Sequence, residues 1–204
     1  MPILHQMHIS GNCYKARLAA HQAGVPLTLK DYGLHDGTTR SPDYLAKNPN
    51  GRVPMLELDD GRFLPESGAI LFYLTDGTAL QPTDRWARAE MLQWMFFEQY
   101  SHEPYIAVAR FIVAYGTPEM RERRKAEMPM LMDRGNAALG VMETHLKTRD
   151  WFAGNAYSIA DIALYGYTHV AADGGFDLSK YPAVTKWLAR VKAQPRHIPL
   201  EHNW

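Results

Sequence analysis

Residues 48–70 combine two features that suit the binding of an extended, negatively charged peptide. Two strand-like runs, Val53–Leu58 and Arg62–Leu64, are separated by an Asp-Asp-Gly tight-turn sequence. Pro54 lies at the start of the first run, and because proline cannot donate to a sheet ladder, we expect the backbone groups of the residue before it to stay open. Ser67 precedes an apolar run and is predicted to be a helix N-cap, and a helix N-terminus offers N–H groups to an anion. The segment therefore predicts a site for an extended peptide that carries a carboxylate.

The elements predicted around this segment form a small α/β domain. Residues 2–9 alternate as a strand, residues 13–23 form a helix, and residues 27–32 alternate as a second strand, which together make a βαβ unit. Ser41-Pro42 begins a short helix, with serine as its cap and proline at its first turn. The two strands and the helix of residues 48–70 complete the order β-α-β-α-β-β-α, which is the order of a thioredoxin-like domain.

The rest of the chain has a helical pattern. Arg85–Tyr115 is predicted as a long helix that Pro104 kinks or interrupts, because proline lacks the N–H that a helix interior needs. Ser158–Asp161 is predicted as a capping box at the start of a later helix. The predicted fold class is therefore α/β plus all-α, with a thioredoxin-like domain at residues 1–76, a linker at 77–84 and an all-helical domain at 85–204.

The composition excludes several classes of partner. Lys and Arg total 22, as do Asp and Glu, so the formal net charge is zero. The chain therefore lacks the positive charge that favours binding to nucleic acid or to an anionic membrane. Cys13 is the only cysteine, which rules out an intrachain disulfide and fits a reducing compartment. The N-terminus has no signal-peptide pattern, and the best apolar segment, Ile106–Tyr115, is too short to span a bilayer. Together these features predict a cytoplasmic protein. Because the sequence has no HExxH motif and no Cys/His cluster, we also expect no metal site.

Four motifs together resemble the cytosolic glutathione transferases. They are Ser10-Gly-Asn-Cys-Tyr-Lys15 after the first strand, Asn48-Pro-Asn-Gly-Arg-Val-Pro54, Glu66-Ser67 and Ser158-Ile-Ala-Asp161. Each motif alone has an ordinary structural explanation, and it is their joint spacing that favours a glutathione site. The resemblance covers nearly the whole chain, and the first motif is most similar to bacterial members near the theta-like and nu-like groups. It implies a homodimer that uses glutathione as a co-substrate.

The resemblance also implies how glutathione binds. Val53 would pair its backbone with the cysteinyl part, and the peptide bond that follows Val53 would be cis. Ser67 and its helix start would bind the γ-glutamyl carboxylate, and Glu66 would meet the ammonium group. Arg52 would reach the glycyl carboxylate, with Arg40 as a weaker candidate for the same end. The implied glutathione-binding residues are Arg40, Arg52, Val53, Pro54, Glu66 and Ser67.

The implied nucleophile is the thiol of glutathione, so the protein must favour the thiolate. Lowering a thiol pKa by about 2 units requires roughly 2.7 kcal/mol, which one hydrogen bond to a charged group, about 1.5–3 kcal/mol, and a helix N-terminus, about 0.3–1 kcal/mol, can supply. Ser10 matches the hydroxyl of serine-type members, and Asn12 matches the asparagine of nu-like members. Cys13 is the alternative: a cysteine at a helix start has a lowered pKa and could form a mixed disulfide with glutathione, although a lone packed cysteine is often inert. The choice among these three residues stays open.

The second substrate is expected on the helical domain. Tyr100, Tyr105 and Arg110 share one side of the predicted long helix, and Tyr165 could approach from the helix after Ser158, although aromatic residues at helical spacing also suit a core. The resulting functional hypothesis is detoxification by conjugation of glutathione to small, largely apolar electrophiles. The alternatives are a glutathione-dependent peroxidase or disulfide reductase, and a non-catalytic protein that keeps the glutathione site.

Overall fold

The computed structural model describes residues 1–34 and 36–202, and the chain folds into two compact units. The first unit holds Met1–Gln81 together with the C-terminal segment that begins at Pro195, and the second holds Pro82–Gln194. The sequence pattern assigned the C-terminal segment to the helical domain. It packs on the first unit instead, because side chains of the first helix hydrogen-bond to its carbonyl groups. Within the described residues, no helix is long and apolar enough to cross a membrane.

The first unit is built on a four-stranded mixed sheet in the order β2-β1-β3-β4. Strand β1 is parallel to β2 and antiparallel to β3, and β3 is antiparallel to β4. The predicted β-α-β-α-β-β-α order of a thioredoxin-like domain is confirmed. Its elements are β1 (Ile3–Gln6), α1 (Gly11–Ala23), β2 (Thr28–Asp31), α2 (Pro42–Leu45), β3 (Met55–Glu57), β4 (Phe63–Pro65) and α3 (Ser67–Leu74).

The core of the first unit lies between the sheet and helices α1 and α3. Alanines on α1 bring its backbone close to the strands, and Gly24 ends the helix in the left-handed conformation at φ 77°. Leu4 of β1 pairs in register with Leu56 of β3, so both side chains point to this face. The core cluster consists of Leu4, Ala16, Ala20, Leu27, Leu56, Ile70 and Leu74.

The opposite face of the sheet carries a polar cluster below α2. The ring nitrogens of His5 lie 2.6 Å from the Tyr32 hydroxyl and 2.7 Å from a Glu57 carboxylate oxygen. Burial lowers the pKa of His5 despite the neighbouring carboxylate. The Tyr44 ring of α2 packs edge-on against both His5 and Tyr32, so the cluster anchors α2 to the sheet.

The second unit is all helical. Its helices are α4 (Arg85–Phe97), α5 (Glu103–Arg110), α6 (Pro118–Arg124), α7 (Met128–Leu146), α8 (Ile159–Thr168) and α9 (Pro182–Lys192). The predicted interruption at Pro104 is a π-helical turn, Glu98–His102, between α4 and α5. Because Pro104 has no N–H to donate, the helix takes up one extra residue in this turn. The Glu103 N–H therefore bonds to the Glu98 carbonyl and not to that of the residue after it.

The predicted capping box at Ser158–Asp161 is present at the start of α8. The fully buried Asp161 carboxylate accepts hydrogen bonds from the Ser158 N–H at 3.0 Å and from the Trp187 indole N–H of α9 at 2.9 Å. The Phe152 N–H donates to the same carboxylate at 3.3 Å. The motif is therefore structural, and it joins the start of α8 to α9 and to the turn before it.

Candidate functional site

The candidate site lies where α1 and α3 begin, since the two motifs that start these helices meet there. Ser10 is the N-cap of α1, with an extended backbone (φ −75°, ψ 124°), and its hydroxyl oxygen accepts the Cys13 N–H at 3.4 Å. The first residues of α1 place Asn12 beside Ser67 of α3, whose hydroxyl donates to the Asn12 side-chain oxygen at 3.3 Å. Residues 55 positions apart in the sequence therefore share one hydrogen bond.

The prediction that Ser67 is the N-cap of α3 is wrong. Glu66 takes the cap position with φ 73° and ψ 118°, and its carbonyl accepts the Ile70 N–H at 2.9 Å. Ser67 is the first helical residue, so its hydroxyl does not cap its own helix and can bond to Asn12. The helix N-terminus and the serine hydroxyl still lie together, as an anion site at this position requires.

The Asn48–Pro54 loop is held in shape by side chains around it. The Asn48 amide and the Tyr44 hydroxyl both donate to the Arg52 carbonyl, at 2.8 Å and 2.7 Å. Gly51 has φ 62°, and a Cβ there would lie 2.9 Å from the Thr39 carbonyl oxygen, so the turn requires glycine. These bonds fix the backbone immediately before Val53.

Val53 presents an open backbone edge, as its sequence position predicted. The Val53–Pro54 peptide bond is cis, as the family resemblance implied. Strand β3 begins only at Met55, and among the described residues none makes a hydrogen bond with the N–H or C=O of Val53. These two groups can therefore pair with an extended peptide in the manner of an added strand.

The three charged residues predicted to bind glutathione are all exposed. Glu66 stands at the start of α3. Arg52 belongs to the Asn48–Pro54 loop, where its own carbonyl accepts the Tyr44 hydroxyl and its side chain is exposed. The Arg40 side chain contacts the loop itself: its guanidinium donates to the Asn50 carbonyl at 3.0 Å and so braces the loop. Of the two arginines, Arg52 is thus the better placed to meet a ligand carboxylate.

Cys13 is buried away from solvent, and the expectation of a lowered thiol pKa is wrong. Its sulfur faces the core side of α1 with no exposed surface, and it accepts the Met7 N–H at 3.4 Å. Burial raises the pKa of the Cys13 thiol to about 11, and this effect exceeds the opposing hydrogen bonds from Met7 and Ser10. The next residue, Tyr14, is also buried, and its hydroxyl donates to the Ile198 carbonyl at 2.7 Å.

We predict that Cys13 reacts very slowly with thiol reagents in the folded protein. Because its pKa is raised, the thiol stays protonated at neutral pH, so alkylation by iodoacetamide at pH 8 should be on the order of a hundredfold slower than for a free cysteine. The rate should still rise about tenfold between pH 9 and pH 10, because the thiol pKa lies at about 11. Protein unfolded in urea is the control and should react at the ordinary rate. A rapid mixed disulfide between Cys13 and oxidised glutathione at pH 8 would contradict this prediction.

The residues predicted for the second-substrate pocket differ in exposure. Tyr100 is 83% exposed and Tyr105 is half-buried, whereas Tyr165 is only 4% exposed and stacks on the His169 ring at 4.6 Å. Arg110 is buried and forms an ion pair with the Asp173 carboxylate at 3.0 Å. Arg110 and Tyr165 therefore have packing roles inside the second unit, while Tyr100 and Tyr105 keep accessible surface.

Sequence reasoning missed several residues that shape the site. Lys15 is buried and donates to the Asn12 side-chain oxygen at 2.8 Å, a contact that the i, i+3 spacing on a helix could have suggested. Arg17 is also buried, and its guanidinium bonds to the His8 and Leu200 carbonyls. That second contact spans 183 positions and has no local signal in the sequence.

In the part of the chain that the structure describes, no group of three or more His, Cys, Asp or Glu side chains is arranged to hold a metal ion. The groups that this site offers to a ligand are the hydroxyl of Ser10, the side chain of Asn12 and the backbone donors at the start of α1 and α3.

Comparisons with known proteins agree with this geometry. The family model described as the N-terminal domain of glutathione S-transferase matches residues 4–76, and the C-terminal domain model matches residues 94–195. A solved glutathione S-transferase from Pseudomonas fluorescens is 49% identical, with a TM-score of 0.94 over 98% of this chain and 98% of that one.

Curated relatives carry two kinds of name. Glutathione S-transferase D7 of Anopheles gambiae is 31% identical over 195 residues, which are 94% of this chain and 86% of that protein. The disulfide-bond oxidoreductase YfcG of Escherichia coli K12 is 29% identical over 194 residues, which are 90% of this chain and 87% of that protein. With both domain models matched and the site motifs brought together by the fold, the chain belongs to the glutathione S-transferase family.

Proposed function

We propose that this protein is a glutathione transferase that conjugates glutathione to small, largely apolar electrophiles. The observation that carries the proposal is the hydrogen bond between Ser67 and Asn12. It places a helix start suited to a carboxylate beside a turn that carries donors suited to a thiolate. Glutathione holds both of these groups on one short peptide, so a single extended ligand can meet both features.

The proposed binding half of the site consists of the Asn48–Pro54 loop and the start of α3. The open backbone of Val53 would pair with the cysteinyl part of glutathione. The Ser67 O–H, which donates to Asn12 in the free protein, would turn to the γ-glutamyl carboxylate and bind it together with the first N–H groups of α3. The exposed Glu66 carboxylate would meet the ligand ammonium group. At the other end, Arg52 would meet the glycyl carboxylate, and Arg40 would support it through the loop that it braces.

The chemical half uses Ser10 and Asn12 to favour the thiolate. The Ser10 oxygen accepts the Cys13 N–H, so its own O–H can serve as a donor to the ligand sulfur. The thiolate then attacks the electrophilic carbon, a carbon–sulfur bond forms, and the leaving group departs with the electron pair. The thiol proton is released to solvent. Cys13 takes no part in this step because its thiol is buried and protonated.

We predict that Ser10→Ala lowers kcat/KM for conjugation of 1-chloro-2,4-dinitrobenzene by tenfold or more, which is about 1.4 kcal/mol of transition-state stabilisation. The change also removes a helix cap, so a matched control is needed. Thr117→Ala removes the N-cap of α6, where the Thr117 hydroxyl oxygen accepts the Met120 N–H at 3.2 Å, and it should leave the rate unchanged. An unchanged rate in Ser10→Ala would remove Ser10 from the proposed chemistry.

Reduction of disulfides by glutathione is a second candidate activity. It is favoured by the similarity to a protein named as a disulfide-bond oxidoreductase. Because Cys13 is buried, glutathione itself would supply the attacking thiolate, which would form a mixed disulfide with one half of the substrate and release the other half as a thiolate. A second glutathione thiolate would then attack the glutathione sulfur of the mixed disulfide, so that the remaining half leaves as a thiolate and oxidised glutathione is formed. Reduction of hydroxyethyl disulfide, measured beside conjugation, separates the two activities. Glutathione binding with neither activity would support a non-catalytic binding protein.

We also propose that the protein is a homodimer. Leu92 and Phe96 lie one turn apart on α4 and are 38% and 69% exposed, which is unusual for large apolar side chains and typical of an interaction surface. Sedimentation equilibrium should give twice the 23.2 kDa chain mass, and Phe96→Glu should shift the protein to the monomer. The control is Val141→Glu, which alters an exposed apolar residue of α7. A monomeric wild-type protein at micromolar concentration would refute the dimer.

A further inference from the structure

The carbonyl group of Arg52 has two side-chain donors, and it belongs to the same peptide group as the N–H of Val53. The Tyr44 hydroxyl donates to the carbonyl oxygen at 2.7 Å, and the Asn48 amide nitrogen donates at 2.8 Å. Both donor side chains are buried, with exposures of 4% and 2%. Because a carbonyl oxygen has two lone pairs, the two bonds use its full capacity as an acceptor. The direction of the Arg52 carbonyl is therefore set from inside the first unit.

Other contacts hold each donor in place. The Asn48 side-chain oxygen accepts the Asn50 N–H at 3.1 Å, so the opposite end of the amide is the NH2 that faces the carbonyl. The Tyr44 ring packs edge-on against the rings of His5 and Tyr32, with centroid distances of 6.2 Å and 5.4 Å. Burial raises the pKa of Tyr44 to about 12, so the hydroxyl keeps the proton that it donates.

The N–H of Val53 points away from these two donors. The Arg52–Val53 peptide bond is trans, and in a planar trans peptide group the C=O and N–H bonds point in opposite directions. A carbonyl turned inward to Tyr44 and Asn48 thus turns the N–H outward, where none of the described residues accepts it. The two buried side chains therefore determine where the open donor of Val53 points.

We propose that Tyr44 and Asn48 are positioning residues, which hold the Val53 N–H in the direction that meets the cysteinyl carbonyl of bound glutathione. The inference rests on the proposed glutathione site. Neither side chain touches the ligand in this account, because both are buried and donate to the Arg52 carbonyl. Without one of the donors, the peptide group between Arg52 and Val53 can rotate. The N–H then has the required direction for only part of the time, and the affinity falls by that fraction.

The test is calorimetric titration with three ligands. Glutathione and γ-glutamylcysteinamide have the cysteinyl carbonyl, and γ-glutamylcysteamine lacks it; the last two both lack the glycyl carboxylate assigned to Arg52. Tyr44→Phe removes the hydroxyl and keeps the ring. It should weaken binding of the two ligands with the carbonyl by about threefold to tenfold, and binding of γ-glutamylcysteamine by less than about twofold. Tyr181→Phe is the matched control, since the Tyr181 hydroxyl donates to the Asn136 carbonyl in the second unit, and it should bind all three ligands as the wild type does.

Asn48→Ala removes the other donor and should give the same selective pattern. If only one of the two variants folds, its pattern decides. Equal weakening of all three ligands would show a merely structural role and overturn the inference, as would affinities within about twofold of the wild type for all three. Both of these results leave the proposed function intact, because the wild type still binds glutathione. Failure of the wild type to bind glutathione overturns the proposed function, and this inference with it.

Discussion

Arg17→Met is expected to lower the free energy of unfolding by about 3–5 kcal/mol, because three oxygen atoms around the side chain would lose a charged hydrogen-bond donor. Arg17 has no exposed surface, and its guanidinium donates to the His8 carbonyl at 3.0 Å and to the Leu200 carbonyl at 2.9 Å. It also donates to the Gln6 side-chain oxygen. Methionine has a similar length but no donor, so these buried acceptors would lose their partner at about 1–3 kcal/mol each.

Urea unfolding followed by circular dichroism measures this effect. Arg88→Met is the control, since Arg88 is an exposed arginine of α4 and its loss should change stability by about 0.5 kcal/mol or less. The same bonds hold the Ser10 turn in place, because His8 lies two positions before Ser10. They also tie the C-terminal segment to α1 through the Leu200 carbonyl. A loss of stability below about 1 kcal/mol in Arg17→Met would show that this network does not hold the segment and the turn together.

Ser67→Ala is expected to weaken glutathione binding by about tenfold to a hundredfold, which corresponds to the 1.5–3 kcal/mol of a hydrogen bond to a charged group. The substitution removes the hydroxyl assigned to the γ-glutamyl carboxylate and also the bond to Asn12. Calorimetric titration with glutathione measures the change. Ser179→Ala alters an exposed serine of the second unit and should bind as the wild type does. Equal affinities in Ser67→Ala and the wild type would refute the carboxylate assignment.

Local sequence signals predicted most of the elements that carry the site. The proline at the start of a strand run predicted the open Val53 backbone, and the Ser158–Asp161 box marked the start of α8 where the structure has it. The start of α3 was misplaced by one residue, because serine before an apolar run suits both the cap and the first helical position, and only the backbone of Glu66 decides between them.

Other features depend on contacts that the sequence does not display. The environment of Cys13 is set by which side of α1 meets the core, so its position at a helix start suggested a reactive thiol where burial produces an inert one. Arg110 shares a helical spacing with Tyr105, but spacing alone does not separate a pocket wall from a packed ion pair with Asp173. The bond from Tyr14 to Ile198 joins positions 184 apart, beyond the reach of any periodic pattern.

A crystal structure of the protein with glutathione tests most directly the claim that the Asn48–Pro54 loop, the start of α3 and the Ser10–Asn12 turn form one binding site. The predicted result is an extended ligand paired with the backbone of Val53, with its γ-glutamyl carboxylate on Ser67 and its sulfur within hydrogen-bond distance of Ser10 or Asn12. Glutathione bound elsewhere, or with its sulfur joined to Cys13, would contradict the account.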